Sequence, residues 1–406
     1  MLDRERIIRC LQWLLLLALF AYDGFTYLPE ESNFALLKSA YYVLIFIGYI
    51  LIVTLQTRQG HIPFRRPGRI SYVIQAYIWL YFMRLFYDFM IVGVQQEIVT
   101  NPFAAVFLYA NAAIVPFYAM YFFRWDLIDL RKLNTTILLI FLIMGSVSMY
   151  YIFSGRALEY LGSDGRFMGN ESMDTIAFGH LGTSLTLLAI TLFHQSGIRL
   201  WHKVLSIGSI LVGLFITVAA GSRGAIVALL VCGLMYMYLR GHRKWLFIGI
   251  PVLMLVVYLT LPILNDVLIS YNNHSMERLY NSLYDSSSMQ GGVTSNRDIL
   301  YTQGWHNFTE SPVIGYSFFI KGEYAHNCII ESFMGLGIIG GVLFLWMIVY
   351  ALRAAAQLAL RDKRFLFVSL LFIQYVCYSL FSRTLSMLPL FWITLYLVIY
   401  FRAANE

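Results

Sequence analysis

The chain has 406 residues, 59% hydrophobic and only 13% charged, with a mean hydropathy of +0.68. A soluble domain carries about 25% charged residues, so a secreted disulfide scaffold, a disordered hub and an ordinary cytosolic enzyme are excluded. The net charge of +7 points to nucleic acid only if the basic residues form a solvated patch.

About 20 apolar residues cross a bilayer core. Twelve such stretches follow one another, at roughly 11–27, 34–55, 71–94, 103–123, 134–154, 176–195, 203–220, 225–239, 246–264, 328–350, 365–382 and 387–401. The pattern predicts an all-α polytopic membrane protein with about 12 transmembrane helices. Residues 1–264 hold spans 1 to 9 and their short loops, 265–325 form one large outer loop, and 326–406 hold spans 10 to 12.

Lysine and arginine in short loops stay cytoplasmic. Twenty of the 29 cationic residues fall before span 1 or after spans 2, 4, 6, 8, 10 and 12, among them Arg4, Arg65, Arg124, Arg199, Arg240, Arg364 and Arg402. Both termini are therefore expected on the cytoplasmic side. The cytoplasmic loops carry +14 and the rest of the chain −7, so the basic balance reports topology and no nucleic acid is expected. The first span lacks a small-residue cleavage site and reads as an anchor. Cys10, Cys232, Cys328 and Cys377 are far apart in or beside spans, with neither disulfide nor zinc spacing, and read as buried apolar thiols.

Nine cations remain outside the cytoplasmic loops: Lys38, Arg84, Arg156, Arg166, Arg223, Arg278, Arg297, Lys321 and Arg383. Each runs against the orientation rule and needs a reason. Arg84 precedes Asp88 by four residues, which predicts an ion pair on one helix face. Arg223 stands in Gly221-Ser222-Arg223-Gly224, a tight turn between two short spans. A guanidinium there offers bidentate binding to phosphate; snorkelling to lipid headgroups is the plainer alternative.

In the large loop, polar turn residues around Asn272 and Ser286 precede a helical run beginning Ser295-Asn296-Arg297-Asp298, with Ser295 or Asn296 as N-cap. Ile299, Leu300, Gly304, Trp305 and Phe308 give that run one apolar side, suited to lying on the membrane surface or against the bundle. His326-Asn327 then opens the tenth span, with Glu331 one turn beyond Asn327 and Gly335, Gly337 and Gly340 following. A histidine near several arginines at a membrane boundary is held neutral and able to accept a proton; a polar residue at a helix start is the simpler reading.

These features resemble the bacterial O-antigen ligases and polysaccharide polymerases. His326-Asn327, nine residues, Gly337, two residues and Gly340 matches the ligase pattern, which polymerases share. Gly221-Ser222-Arg223-Gly224 is similar to the family's short arginine turn. Arg297 with Trp305, Ser311-Pro312 and Gly315 is similar to the segment before the histidine. Arg166 with Gly169 and Ile176-Ala177-Phe178-Gly179 is similar to an earlier periplasmic arginine motif.

The resemblance implies an inverting, metal-independent glycosyltransferase of the inner membrane, taking a glycan from an undecaprenyl-diphosphate carrier at the periplasmic face. The acceptor would be lipid A–core for a ligase or a second lipid-linked glycan for a polymerase, the latter with a chain-length regulator as possible partner. Arg223 and Arg297 would hold the diphosphate, with Arg166, Arg278 and then Arg383 as further candidates. His326 would be the general base, and Asn327 or Glu331 would orient it or simply bond within the helix. Trp305, Tyr316 and Tyr324 are candidate glycan contacts, although aromatic belts account for most of the 29 tyrosines. No cofactor is expected, since arginines can neutralise the leaving diphosphate and the chain has no Asp-x-Asp motif.

A transporter or flippase predicts repeats and deep ionisable residues; here Arg84, Asp88 and Asp23 are the few deep charges, and the unusual residues gather at one face. A peptidoglycan polymerase would use a loop acid, for which Asp266, Asp285 and Asp298 are available, but the His326 motif weighs against it. A purely structural scaffold would not need Arg223 in a glycine turn. The His motif and the Ile176–Gly179 segment favour ligase.

Overall fold

The computed structural model describes residues 2–22, 32–57, 68–94, 102–153, 167–168, 173–195, 197–242, 296–320 and 323–405, with scattered positions between 258 and 284. Its helices are α1 (Leu2–Phe20), α2 (Ser32–Thr57), α3 (Ile70–Phe86), α4 (Pro102–Tyr109), α5 (Val115–Met120), α6 (Leu130–Phe153), α7 (Thr175–Phe193), α8 (Leu200–Ala219) and α9 (Arg223–Leu239). They continue with α10 (Asn296–Glu310), α11 (Cys328–Arg361), α12 (Leu366–Phe381) and α13 (Pro389–Ala404). Between α10 and α11, strands β1 (Phe319–Ile320) and β2 (Glu323–Tyr324) pair antiparallel, Phe319 opposite Tyr324.

The protein is an all-α polytopic membrane protein. Among the described residues, six helical stretches are long and apolar enough to cross a membrane: Ala40–Thr57, Leu130–Tyr150, Thr175–Phe193, Leu200–Ala219, Cys328–Arg361 and Lys363–Phe381. Ala105–Met120, Arg223–Leu239 and Pro389–Ala404 are shorter apolar helices. The expected ninth span, 246–264, lies outside the described residues except at its end.

The helices divide into inner and outer ones. In α7 and α12, 83% of the apolar window is buried, against 33% in α8. On α8, Leu200, Val204, Ile207 and Leu211 are exposed at helical spacing, an apolar stripe that suits lipid as its solvent. An aromatic core of Tyr77, Tyr81, Tyr109, Phe117, Trp392, Tyr396 and Tyr400 joins α3, α4, α5 and α13. Pro116 near the start of α5 has no N–H to give, and a π turn, Ala110–Ile114, precedes it. The Tyr396 hydroxyl donates to the Ala113 carbonyl there and Tyr400 to Phe117, both at 2.7 Å.

α11 is broken at Gly337, where φ is 64° and ψ −163°, a conformation open essentially to glycine alone. The break separates the Ile338 amide from the Met334 carbonyl, an i, i+4 pair. Segment 312–316 takes over both groups: Ile338 N–H donates to Pro312 O, and Tyr316 N–H donates to Met334 O, each at 2.8 Å. The loop thus re-satisfies backbone groups that lipid cannot.

The expected Arg84–Asp88 pair is present at 2.8 Å. Asp88 Oδ2 also accepts from Ser317 Oγ and Phe318 N, both at 3.1 Å, tying a π turn that follows α3 (Tyr87–Val92) to the segment before β1. One expectation is corrected: Cys232, Cys328 and Cys377 are buried thiols, but Cys10 is exposed on α1. Its helix turns that side away from the bundle, so no packing surface covers it.

Candidate active site

Several of the described candidates lie at one end of the helices. α8 ends at Ala219, and Gly221, with φ +57°, reverses the chain. Ser222 then caps α9, its hydroxyl accepting from the Ala225 amide, which sets Arg223 in the first turn. The turn packs tightly: a Cβ on Gly224 would lie 3.4 Å from Phe381 Cβ and 3.9 Å from His180 Nε2, and one on Gly179 would lie 2.9 Å from Ala225 Cβ. Arg223 is therefore carried beside the end of α12 and the start of α7.

Arg383, just past the end of α12, donates to Asp174 Oδ2 at 2.6 Å and to the Tyr378 hydroxyl at 3.2 Å. Asp174 also caps α7 through the Ala177 amide, at 2.7 Å. This carboxylate balances the charge of Arg383.

His326 is the one non-glycine residue with positive φ (54°) among the described residues. Its Nδ1 lies 2.8 Å from the Ser382 carbonyl. A carbonyl can only accept, so Nδ1 carries the proton and the neutral ring presents Nε2 as a proton acceptor. The His326 pKa is held below its ordinary value, chiefly by burial and further by the charges of Arg297 and Arg383, while the Ser382 carbonyl and Glu323 pull the other way. Tyr324, buried, tilts its ring over His326 at 4.2 Å, and its phenol is pushed up by burial.

Asn327 is the N-cap of α11: Oδ1 accepts from Ile329 and Ile330 amides at 3.0 and 3.2 Å, and Nδ2 donates to Leu380 O at 3.2 Å. It holds the helix and does not bond the His326 ring in this structure. Glu331 is fully buried and binds the 384–385 segment. α10 lies against α11: a Cβ on Gly304 would lie 2.5 Å from Ile330 Cγ2, and Trp305 and Phe308 pack on Phe333. This is the packing expected of its apolar side, except that Ile299 is exposed. Trp305 and Tyr316 are exposed at 42% and 53%, so both offer ring surface, whereas Tyr324 is covered. Arg166 and Arg278 lie outside the described residues.

His180 was not singled out by the sequence. It is buried on α7, stacked on Tyr378 at 3.8 Å, with neither ring nitrogen hydrogen-bonded. Its neighbour Gly179 ends the Ile176–Gly179 segment, and only the fold reveals the adjacency to Gly224.

At one end of this polytopic membrane protein the half-buried His326 thus lies near Arg297 and Arg383. Residues 208–345, about a third of the chain, match the family model described as O-antigen ligase. The match supports the O-antigen ligase and polymerase superfamily and a function of that broad type. It contains Arg223, Arg297, His326, Gly337 and Gly340. No curated protein matches the chain.

Proposed function

We propose that this chain is a bacterial inner-membrane glycosyltransferase that moves a glycan from undecaprenyl diphosphate to an acceptor hydroxyl at the periplasmic face. Its acceptor is lipid A–core, which makes it an O-antigen ligase. The chain crosses the membrane about twelve times with both termini cytoplasmic, and 265–325 is the large periplasmic loop. The observation that carries the reading is His326, its Nδ1 committed to the Ser382 carbonyl and its Nε2 left as a base beside Arg297 and Arg383.

In the reaction, Nε2 takes the acceptor hydroxyl proton as that oxygen bonds to the anomeric carbon. The bond from that carbon to the diphosphate oxygen breaks, and its electron pair leaves with undecaprenyl diphosphate. Arg223 and Arg297 neutralise the charge that develops there, with Arg166 and Arg278 as further contacts. A single displacement inverts the anomeric centre. Trp305 and Tyr316, with exposed rings, are the proposed glycan contacts, and Tyr324 forms the wall behind His326.

Lipopolysaccharide gels of a strain lacking this chain test the assignment. The ligase reading predicts loss of all O-antigen from the core, restored by the wild-type chain and not by His326→Ala. A core carrying one repeat would instead make the chain a polymerase joining lipid-linked repeats.

A further inference from the structure

Among the described residues no cation bonds to Glu331, yet its carboxyl is wholly buried. Oε1 accepts three hydrogen bonds: from the Tyr81 hydroxyl at 2.5 Å, Thr384 Oγ1 at 2.9 Å and the Leu385 amide at 3.2 Å. Tyr81 is itself wedged between Tyr109 and Phe318, ring centroids 4.6 and 4.1 Å away, so the carboxyl is anchored from α3. Burying such a group is costly unless its bonds are made and held.

What those bonds hold is the segment that also holds His326. Ser382, whose carbonyl receives His326 Nδ1–H, caps α12 two residues before Thr384. Thr384 in turn caps the short helical turn Leu385–Met387 through the Ser386 amide. The start of α11 therefore grips segment 380–385 at three points: Asn327 on Leu380 O, His326 on Ser382 O and Glu331 on Thr384 and Leu385. His326 also sits at positive φ, a backbone conformation that persists only where its surroundings impose it.

We propose that Glu331 is a positioning residue: by fixing Thr384 and Leu385 it sets the Ser382 carbonyl and so the orientation and tautomer of His326. The inference rests on His326 being the base. Small misplacements of a reacting group cost up to about 100-fold in rate, so a residue one turn away and outside contact with substrate can govern turnover.

The test uses purified full-length chain in detergent with a polyprenyl-diphosphate-linked glycan donor, measuring kcat, donor KM and the pH–rate profile. The groups that face His326 are Arg297 on α10, Glu323 and Tyr324 on β2, and Arg383 with its partner Asp174 beyond α12 and before α7. Against that fixed set, Glu331→Ala should lower kcat by about 10- to 100-fold with donor KM within about twofold. Its acid limb should move to lower pH, because losing the Ser382 acceptor removes a contact that favours the imidazolium. Glu331→Gln, which keeps an acceptor oxygen, should recover most of kcat. Thr384→Val should reproduce the Ala effect from the other side, and decides the matter should Glu331→Ala not fold.

A folded Glu331→Ala or Thr384→Val with wild-type kcat overturns the proposal. So does a loss of activity that leaves the pH profile in place and only follows the amount of folded protein. His326→Ala is measured alongside: if it stays active, the base assignment fails first, whereas an inactive His326→Ala with active Glu331 and Thr384 variants defeats positioning alone.

Discussion

At His326 the backbone and the ring are held by different parts of the chain. Asn327 starts the helix behind it, and Ser382, 56 residues further on, fixes Nδ1. The His-Asn spacing and nearby arginines were visible in the sequence, and with them the expectation of a neutral imidazole. The carbonyl that selects its tautomer was not, since any carbonyl can accept and only the fold chooses one. His180 was invisible for the same reason: nothing in Gly179-His180 signals that the ring will lie against Gly224.

Burial and two arginines hold the His326 pKa down, so its base form persists below the ordinary imidazole value of about 6.5, and transfer should decline only on further acidification. Arg297→Gln removes a cation that disfavours protonation. Its acid limb should therefore shift to higher pH in kcat/KM profiles, whatever the loss of rate from weaker diphosphate binding. A limb that stays in place or moves down would show that Arg297 does not act on His326.

Among the elements, α11 depends most on a single position. The glycine spacing in 335–340 is readable as a pattern, but its purpose requires a partner: segment 312–316 replaces the helical bond between Ile338 and Met334. A Cβ on Gly337 would run into the Val313 carbonyl, and its backbone angles are closed to alanine. Strain of this kind costs about 1–3 kcal/mol before the overlap is counted. Gly337→Ala should lower the thermal midpoint in detergent and reduce transfer. Gly233→Ala on α9, where nothing lies within 4 Å of the added carbon, serves as the control and should be neutral or slightly stabilising. Equal behaviour of the two variants would mean the break is not maintained by the glycine.

Over the whole molecule, the starts of α7, α9 and α11 meet the end of α12 at one end of the helices. α7 (Thr175–Phe193), α9 (Arg223–Leu239) and α11 (Cys328–Arg361) run away from that end, while α8 (Leu200–Ala219) and α12 (Leu366–Phe381) run back. The 19 residues of α7 span ~28 Å. At the end away from His326, Arg124 pairs with Asp126 and Arg364 with Asp362, and Arg124, Asp126, Arg131 and Arg364 line a cavity of about 910 Å³. The alternation of cationic loops was legible in the sequence, because basic residues cluster after every second apolar run. The convergence of α7, α9, α10 and α12 around His326 was not legible, because apolar runs of similar composition do not specify their neighbours.

Transfer by the purified chain from a polyprenyl-diphosphate-linked glycan tests the central claim most directly, with released polyprenyl diphosphate measured beside glycosylated lipid A–core. The wild-type chain should release and transfer in equal amounts, and folded His326→Ala and Arg223→Ala should lose on the order of 100-fold or more. Near wild-type transfer by either folded variant would contradict that claim.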